Sequence, residues 1–177
     1  MPKSSKKQIV NDEQKVLQEL QKDARQSPHE IAKKCGFSRQ KVWRIIKKLE
    51  GDNVLWGYTA IVDEKKQNMK SYIVLLKRTN SPITKEIIET VTNGGFRKIT
   101  ADINVTLMSS FYLNGIYDCL IMFQASDLGK AKQFCELANK TFTGYIAELS
   151  LLEVIFTNRN YGMINPEQEQ IKEYFNL

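Results

Sequence analysis

Histidine is almost absent from this chain of 177 residues: there is one, His29, and only three cysteines. Cys35, Cys119 and Cys135 are odd in number and widely spaced. That suits reduced thiols packed in cores, and a cytoplasmic protein rather than a disulfide-stapled secreted one. With no paired cysteine spacing to join His29, no metal site is expected. No nucleophile–base pair, paired-carboxylate site or phosphate-cradling glycine loop emerges, so neither a cofactor nor an enzyme is expected. Apolar runs stop far short of the roughly 18 residues that a membrane span requires. The N-terminus is polar and basic with no apolar segment behind it, so no secretory signal and no membrane partner are expected. Internal repeats and low-complexity segments are also missing.

Basic charge is in excess, but only in one place. The chain holds 26 Lys and Arg against 20 Asp and Glu, a net charge of +6. Residues 1–60 carry 13 basic and 7 acidic side chains, whereas residues 61–177 carry 13 of each. The whole excess therefore lies in the N-terminal third, the footprint of a phosphate-binding module joined to something neutral. Lys3, Lys6 and Lys7, among serines, read as a mobile basic tail of minor weight. Hydrophobic residues make up 42%, enough for true cores.

Residues 27–50 read as two short helices around a tight turn. Ser27 caps the first, Pro28 suits its first position, and Glu30 completes a capping box. Gly36 breaks the chain by taking positive φ, and Ser38 caps a second helix that runs to about Glu50. In that helix Val42, Ile45, Ile46 and Leu49 form an apolar stripe. At about 100° per residue, Gln40, Arg44 and Lys47 point away from it, with Trp43 on their flank. Arg39 and Lys41 occupy the first turn and Lys48 the remaining side. A charged helix face alone is ordinary solvated surface. Following a capped turn in a basic block, it reads as a DNA recognition helix. The candidate DNA contacts are Ser38, Arg39, Gln40, Lys41, Trp43, Arg44, Lys47 and Lys48, with double-stranded DNA as partner. Trp43 lies either against DNA or over a wing.

Asn11 is expected to cap an earlier helix with Val16, Leu17 and Leu20 inward. Residues 54–62 are β-rich and broken by Gly57, as in a small wing, with Trp56 in the core. Residues 63–70 are a polar linker. The next block predicts a strand at 72–76, a helix from Ser81-Pro82 to Asn93, a β-leaning stretch over 99–113, and a strand over 117–125. A helix over 128–142 and a strand over 149–157 complete it. The order is β-α-β-β-α-β, as in ferredoxin-like domains. The expected class is α+β, with a winged helix-turn-helix domain (1–62), the linker, an αβ domain (71–157) and a C-terminal extension (158–177). Phe111, Tyr112 and Leu113 make an apolar strand end suited to a subunit contact.

Several strings here resemble the Lrp/AsnC (leucine-responsive, feast/famine) transcription regulators. They are Asp23-Ala24-Arg25-x-Ser27, the stretch Glu30-Ile31-Ala32-Lys33-Lys34-x-Gly36-Phe37-Ser38, Lys47-Lys48-Leu49-Glu50, Gly57-Tyr58-Thr59-Ala60 and Gly115-Ile116-Tyr117-Asp118. The resemblance implies a winged helix-turn-helix followed by an αβ domain that forms dimers or octamers and binds an amino acid or similar effector. It points to Gly115, Tyr117, Asp118, Glu148 and Ser150 as effector residues. Asp118 either binds an effector amine or fixes the turn, and Tyr117 suits a core position as well. Ile45 stands where the family usually has Arg, and Asn53 where Gly is usual. Glu148 and Ser150 stand where a Thr-x-Thr pair is common, and the segment before Gly115 is longer than the family norm.

The expected function is thus a sequence-specific DNA-binding regulator modulated by a small effector. The alternative is a broadly binding DNA-organising protein with little effector dependence. Some haem-pathway decarboxylases resemble the family in both domains, but those need histidine and arginine in the second domain. Here that domain has no histidine, and the only arginines after Ala60 are Arg78, Arg97 and Arg159.

Overall fold

The computed structural model describes residues 5–176. It divides into two compact units, one ending at Ala60 and the other beginning at Ile61.

The first unit is three helices around one core. Helix α1 (Lys6–Lys22) starts five residues before the Asn11 position, because Ser5 caps it by accepting the Gln8 N–H at 3.2 Å. Lys6 and Lys7 are therefore helical rather than part of a tail, and Lys3 lies outside the described residues. Helix α2 (Pro28–Cys35) opens with both halves of its capping box in place. The Ser27 N–H donates to Glu30 at 2.7 Å and the Glu30 N–H to Ser27 Oγ at 3.3 Å. Gly36, at φ +69°, closes the helix, and the N–H groups of Gly36 and Phe37 both reach Ala32 O. Side chains resist that left-handed backbone. Helix α3 (Arg39–Gly51) follows, capped by Ser38. Val16, Leu20, Ile31, Ala32 and Val42 are buried together, with Phe37, Ile45, Ile46 and Leu55 packed against them.

No strand forms in residues 54–62. A β-rich stretch becomes a strand only when a partner satisfies its backbone, and among the described residues no strand pairs with this one. Trp56, expected in the core, is 94% exposed, with its indole N–H donated to Asn53 O at 2.8 Å.

The second unit begins with a 3-10 turn (Glu64–Gln67) and a four-stranded sheet. Its elements are β1 (Lys70–Arg78), α4 (Lys85–Thr92), α5 (Gly95–Asp102), β2 (Thr106–Tyr112), β3 (Cys119–Ala125), α6 (Leu128–Thr141) and β4 (Ile146–Glu153). The spatial order is β2-β3-β1-β4, every pair antiparallel, which is the split βαβ of ferredoxin-like folds. One face is covered. Tyr72, Val74, Ile121 and Phe123 meet Ala131, Phe134 and Ala138 of α6, and Phe96 of α5 lies 5.6 Å from Phe134 and 5.2 Å from Phe142 between ring centroids.

Several boundaries differ from the sequence expectation. Helix α4 begins at Lys85, not Ser81, because the Ser81 and Thr79 hydroxyls donate to Gly144 O and hold that stretch as a loop. The first four residues of the β-leaning segment, 99–102, belong to helix α5, drawn in by the burial of Phe96. Strand β3 begins at Cys119 because Asp118 belongs to the turn. Strand β4 starts three residues early, since Ile146 pairs with Arg78. The extension forms a short hairpin of β5 (Arg159–Asn160) and β6 (Met163–Ile164), then α7 (Ile171–Tyr174). The Tyr161 hydroxyl lies 3.1 Å from Ser109 Oγ on β2, and Tyr174 packs against Phe156.

Candidate nucleic-acid interface and effector site

Helix α3 is held so that one side faces the core and another faces solvent. Val42 and Leu49 are buried and Ile45 and Ile46 half-buried, while Ser38, Arg39, Gln40, Trp43, Arg44, Lys47 and Lys48 are exposed. Among the described residues Arg39 and Arg44 carry no ion pair. Lys47 is bound to Glu50 at 2.8 Å, and Glu50 also accepts the Tyr58 hydroxyl at 3.1 Å. Those contacts, the lysine first, hold the Glu50 carboxyl below its ordinary range. Trp43 is 55% exposed beside this row.

Lys41 differs from the rest of the predicted set. It is half-buried, its ammonium 2.6 Å from Asp12 of α1 and 4.0 Å from the centroid of the Phe37 ring. Asp12 is 3% exposed and also accepts Gln8 Nε2 at 2.8 Å. The Lys41 hydrogen bond lowers the Asp12 pKa, against the opposing effect of burial. Lys48 similarly donates to Glu13 at 2.5 Å, which raises its own pKa. Sequence reading omits Asp12 and Glu13, whose only signal is two adjacent carboxylates on the first helix.

The five residues assigned to an effector come together at one end of the second unit's sheet. Gly115, Tyr117 and Asp118 lie in the β2–β3 connection; Glu148 and Ser150 lie on β4. The end of β1 runs between them. Asp118 accepts the Arg78 N–H at 2.7 Å and donates its own N–H to Leu76 O at 2.9 Å. Lys77 is the cross-strand partner of Glu148, and Leu75 of Ser150. Ser150 Oγ donates to Glu148 Oε1 at 3.4 Å. Tyr117 is half-buried and outside the core cluster. Two cations here escape a sequence reading: Lys77, which is exposed, and Arg78, whose Nε is buried with no hydrogen-bond partner among the described residues. Their signal is a Lys-Arg pair ending an apolar strand run. Glu148 also borders an open groove between α6 and β4, shared with Lys132, Glu136 and Asn139.

Among the described residues no α-helix packs on the sheet face opposite α6; Glu64 of the 3-10 turn meets one end of it, accepting from Ser71 and Gln124. Cross-strand partners share a face, which places Leu152, Ile73 and Met122 in one row and Ser150, Leu75, Leu120 and Phe111 in the next. Leu152 is 47% and Phe111 51% exposed. Among the described residues no acid, histidine and cysteine cluster could hold a metal ion, and no helix is long and apolar enough to cross a membrane.

Comparison with known proteins fits this division. Residues 13–55 match the family described as winged helix-turn-helix DNA-binding. No curated protein matches the sequence significantly. Among solved structures, the chain is similar to an AsnC family transcriptional regulator from Agrobacterium tumefaciens, with 21% identity over 88% of this chain and 96% of that one, at a TM-score of 0.63. It is also similar to a transcriptional regulator of Neisseria meningitidis solved as an L-methionine complex, at 17% identity, 89% and 94% coverage and a TM-score of 0.60. A feast or famine regulatory protein of Mycobacterium tuberculosis complexed with L-methionine gives 14% identity, 86% and 95% coverage and a TM-score of 0.66. Over most of its length, then, the chain has the fold of the Lrp/AsnC regulators, and residues 13–55 of its first unit match the winged helix-turn-helix family.

Proposed function

We propose that this protein is a cytoplasmic DNA-binding transcription regulator of the Lrp/AsnC type, acting as a homodimer and modulated by an amino acid, and that it is not an enzyme. The observation that carries the proposal is the outward face of α3, where Ser38, Arg39, Gln40 and Arg44 stand exposed behind a capped turn. Such a face fits the major groove, its N-terminal residues toward base edges and its cations toward phosphates. The uncovered sheet face supports the dimer: two copies related by a two-fold axis bury the same apolar rows against each other, at the roughly 10 Å spacing of stacked sheets.

The end of that sheet supports the effector. A zwitterionic amino acid needs a cation for its carboxylate and an acceptor for its ammonium group. Arg78 and Lys77 offer the first, and Glu148 the second. Both methionine-bound neighbours are consistent with this class of ligand.

The test is binding of the pure protein to DNA upstream of its own gene and to random DNA, across a salt series, with and without L-methionine and other amino acids. Tight binding that survives physiological salt only on the upstream fragment, shifted by an amino acid, is the expected result. Equal and salt-sensitive binding to both fragments supports a DNA-organising role instead. No binding at low salt removes the proposal.

A further inference from the structure

The recognition helix carries five cations, yet two of them are already spoken for by the first helix. We propose that Asp12 and Glu13 of α1 are positioning residues that fix the pitch of α3 by holding Lys41 and Lys48, so that these two lysines are struts and not phosphate contacts. This rests on the DNA-binding reading of the first unit.

Lys41 and Lys48 are seven residues apart, two helical turns, and so project from one side of α3. Their partners are adjacent on α1. The two ion pairs, 2.6 Å and 2.5 Å long, bracket the cleft between the helices, whose apolar wall is Ile9 and Ile45. The inner pair is the stronger constraint. Asp12 is almost wholly buried, and a buried carboxylate is stable only while paired. Its partner ammonium is fixed on the other side by the Phe37 ring, in the turn that precedes α3. For Lys41 to swing to a phosphate, Asp12 would be left charged and unpaired beneath the recognition helix, next to polyanionic DNA. The sequence position of Lys41, in the first turn of the helix, suggests a DNA contact; its geometry assigns it the opposite duty. Arg39 and Arg44 are left as the helix's free cations among the described residues.

The experiment is the dependence of DNA affinity on salt for the full-length wild type and for Lys41→Gln, Asp12→Asn, the double variant and Arg44→Ala. Each phosphate contact contributes about 0.9 to the slope of log K against log salt. Lys41→Gln and Asp12→Asn are each expected to weaken binding roughly 3- to 30-fold at every salt concentration with the slope unchanged. The double variant should bind no worse than Lys41→Gln, because the neutral amides replace the pair together. Arg44→Ala should flatten the slope by about one contact. Lys41→Gln flattening the slope like Arg44→Ala, with Asp12→Asn binding as wild type, overturns the proposal. Thermal unfolding of the same four-member cycle decides the clamp even if the wild type binds no DNA, a result that would count against the DNA reading alone. Strongly non-additive melting supports the strut, and additive melting overturns it. The double variant, which buries no lone charge, guards against a Lys41→Gln protein that fails to fold.

Discussion

The carboxylate of Asp118 accepts the backbone N–H of Arg78 at 2.7 Å, just where the pairing of β1 with β4 shifts register. On its other side β1 runs two residues past the end of its pairing with β3 at Leu76 and Cys119, and there a side chain forty residues away in sequence takes up the backbone donor. A hydrogen bond to a charged group is worth about 1.5–3 kcal/mol. Asp118→Ala is therefore expected to lower stability by about that much in the absence of any effector, and Asp118→Asn, which keeps an acceptor, by less. Urea unfolding of the ligand-free protein checks this. An Asp118→Ala variant as stable as wild type would mean the carboxylate serves only a ligand.

Among the described residues Arg44 is exposed and has no ion pair, on the same helix whose Lys47 is tied to Glu50 at 2.8 Å. Removing it should cost DNA affinity without touching the fold: a slope lower by about 0.9, and a stability within about 0.5 kcal/mol of wild type. Lys47→Ala should have a smaller effect on the slope, because its charge is already partly neutralised. The pair of variants, measured on one DNA fragment across salt, separates a free cation from a compensated one. Equal slopes for both would show that the Lys47–Glu50 pair opens on binding.

What was legible in the sequence was local. The Ser27 and Glu30 capping box, Gly36 and the cap at Ser38 act within four residues of themselves, and all are where the spacing places them. The alternation of Ile103, Val105 and Leu107 obscured α5, because that helix depends on Phe96 meeting Phe134 and Phe142 across the core. Ser5 was masked by Asn11, an equally good cap signal further on. Trp56 was expected inside because large aromatics usually are, but burial needs a partner surface, and this chain folds none over it. The ion pairs that tie Lys41 and Lys48 to α1 join residues 29 and 35 apart in sequence. Lys77 meets Glu148 only through strand register. Pairings at that range are set by topology, which spacing along the chain does not encode.

Asp12 also makes a pH prediction. Its folded-state pKa lies below the ordinary 3.8, chiefly through the Lys41 hydrogen bond, with Gln8 and the charges of Lys41 and Lys15 assisting and burial opposing. A depressed carboxylate pKa stabilises the fold above the ordinary value and loses that contribution as pH falls through the folded-state one. Asp12→Asn should therefore be less stable than wild type at neutral pH, and the gap should close as the pH falls below 3.8 and through the lower folded-state pKa. Denaturant unfolding at several pH values tests it. A constant gap would mean that Asp12 contributes through packing and not through its charge.

The uncovered sheet face gives the last prediction. Leu152 lies on an edge strand, 47% exposed, paired across to Ile73 in the middle of the apolar row. Because it is half in solvent, Leu152→Lys should leave the folded unit intact. A second copy stacked on this face would meet a buried, unpaired ammonium, which an interface of this kind does not tolerate. The variant is expected to sediment as a monomer at concentrations where the wild type is a dimer, with a circular dichroism spectrum like that of the wild type. DNA binding should fall with it, since a dimer holds two recognition helices about 34 Å apart and engages two half-sites together. Losing that second attachment costs roughly 10²- to 10⁴-fold in apparent affinity, far more than the loss of any single phosphate contact on α3. A monomer that binds the operator as tightly as the wild type would separate DNA recognition from dimerisation. A variant that stays dimeric would move the interface off this face.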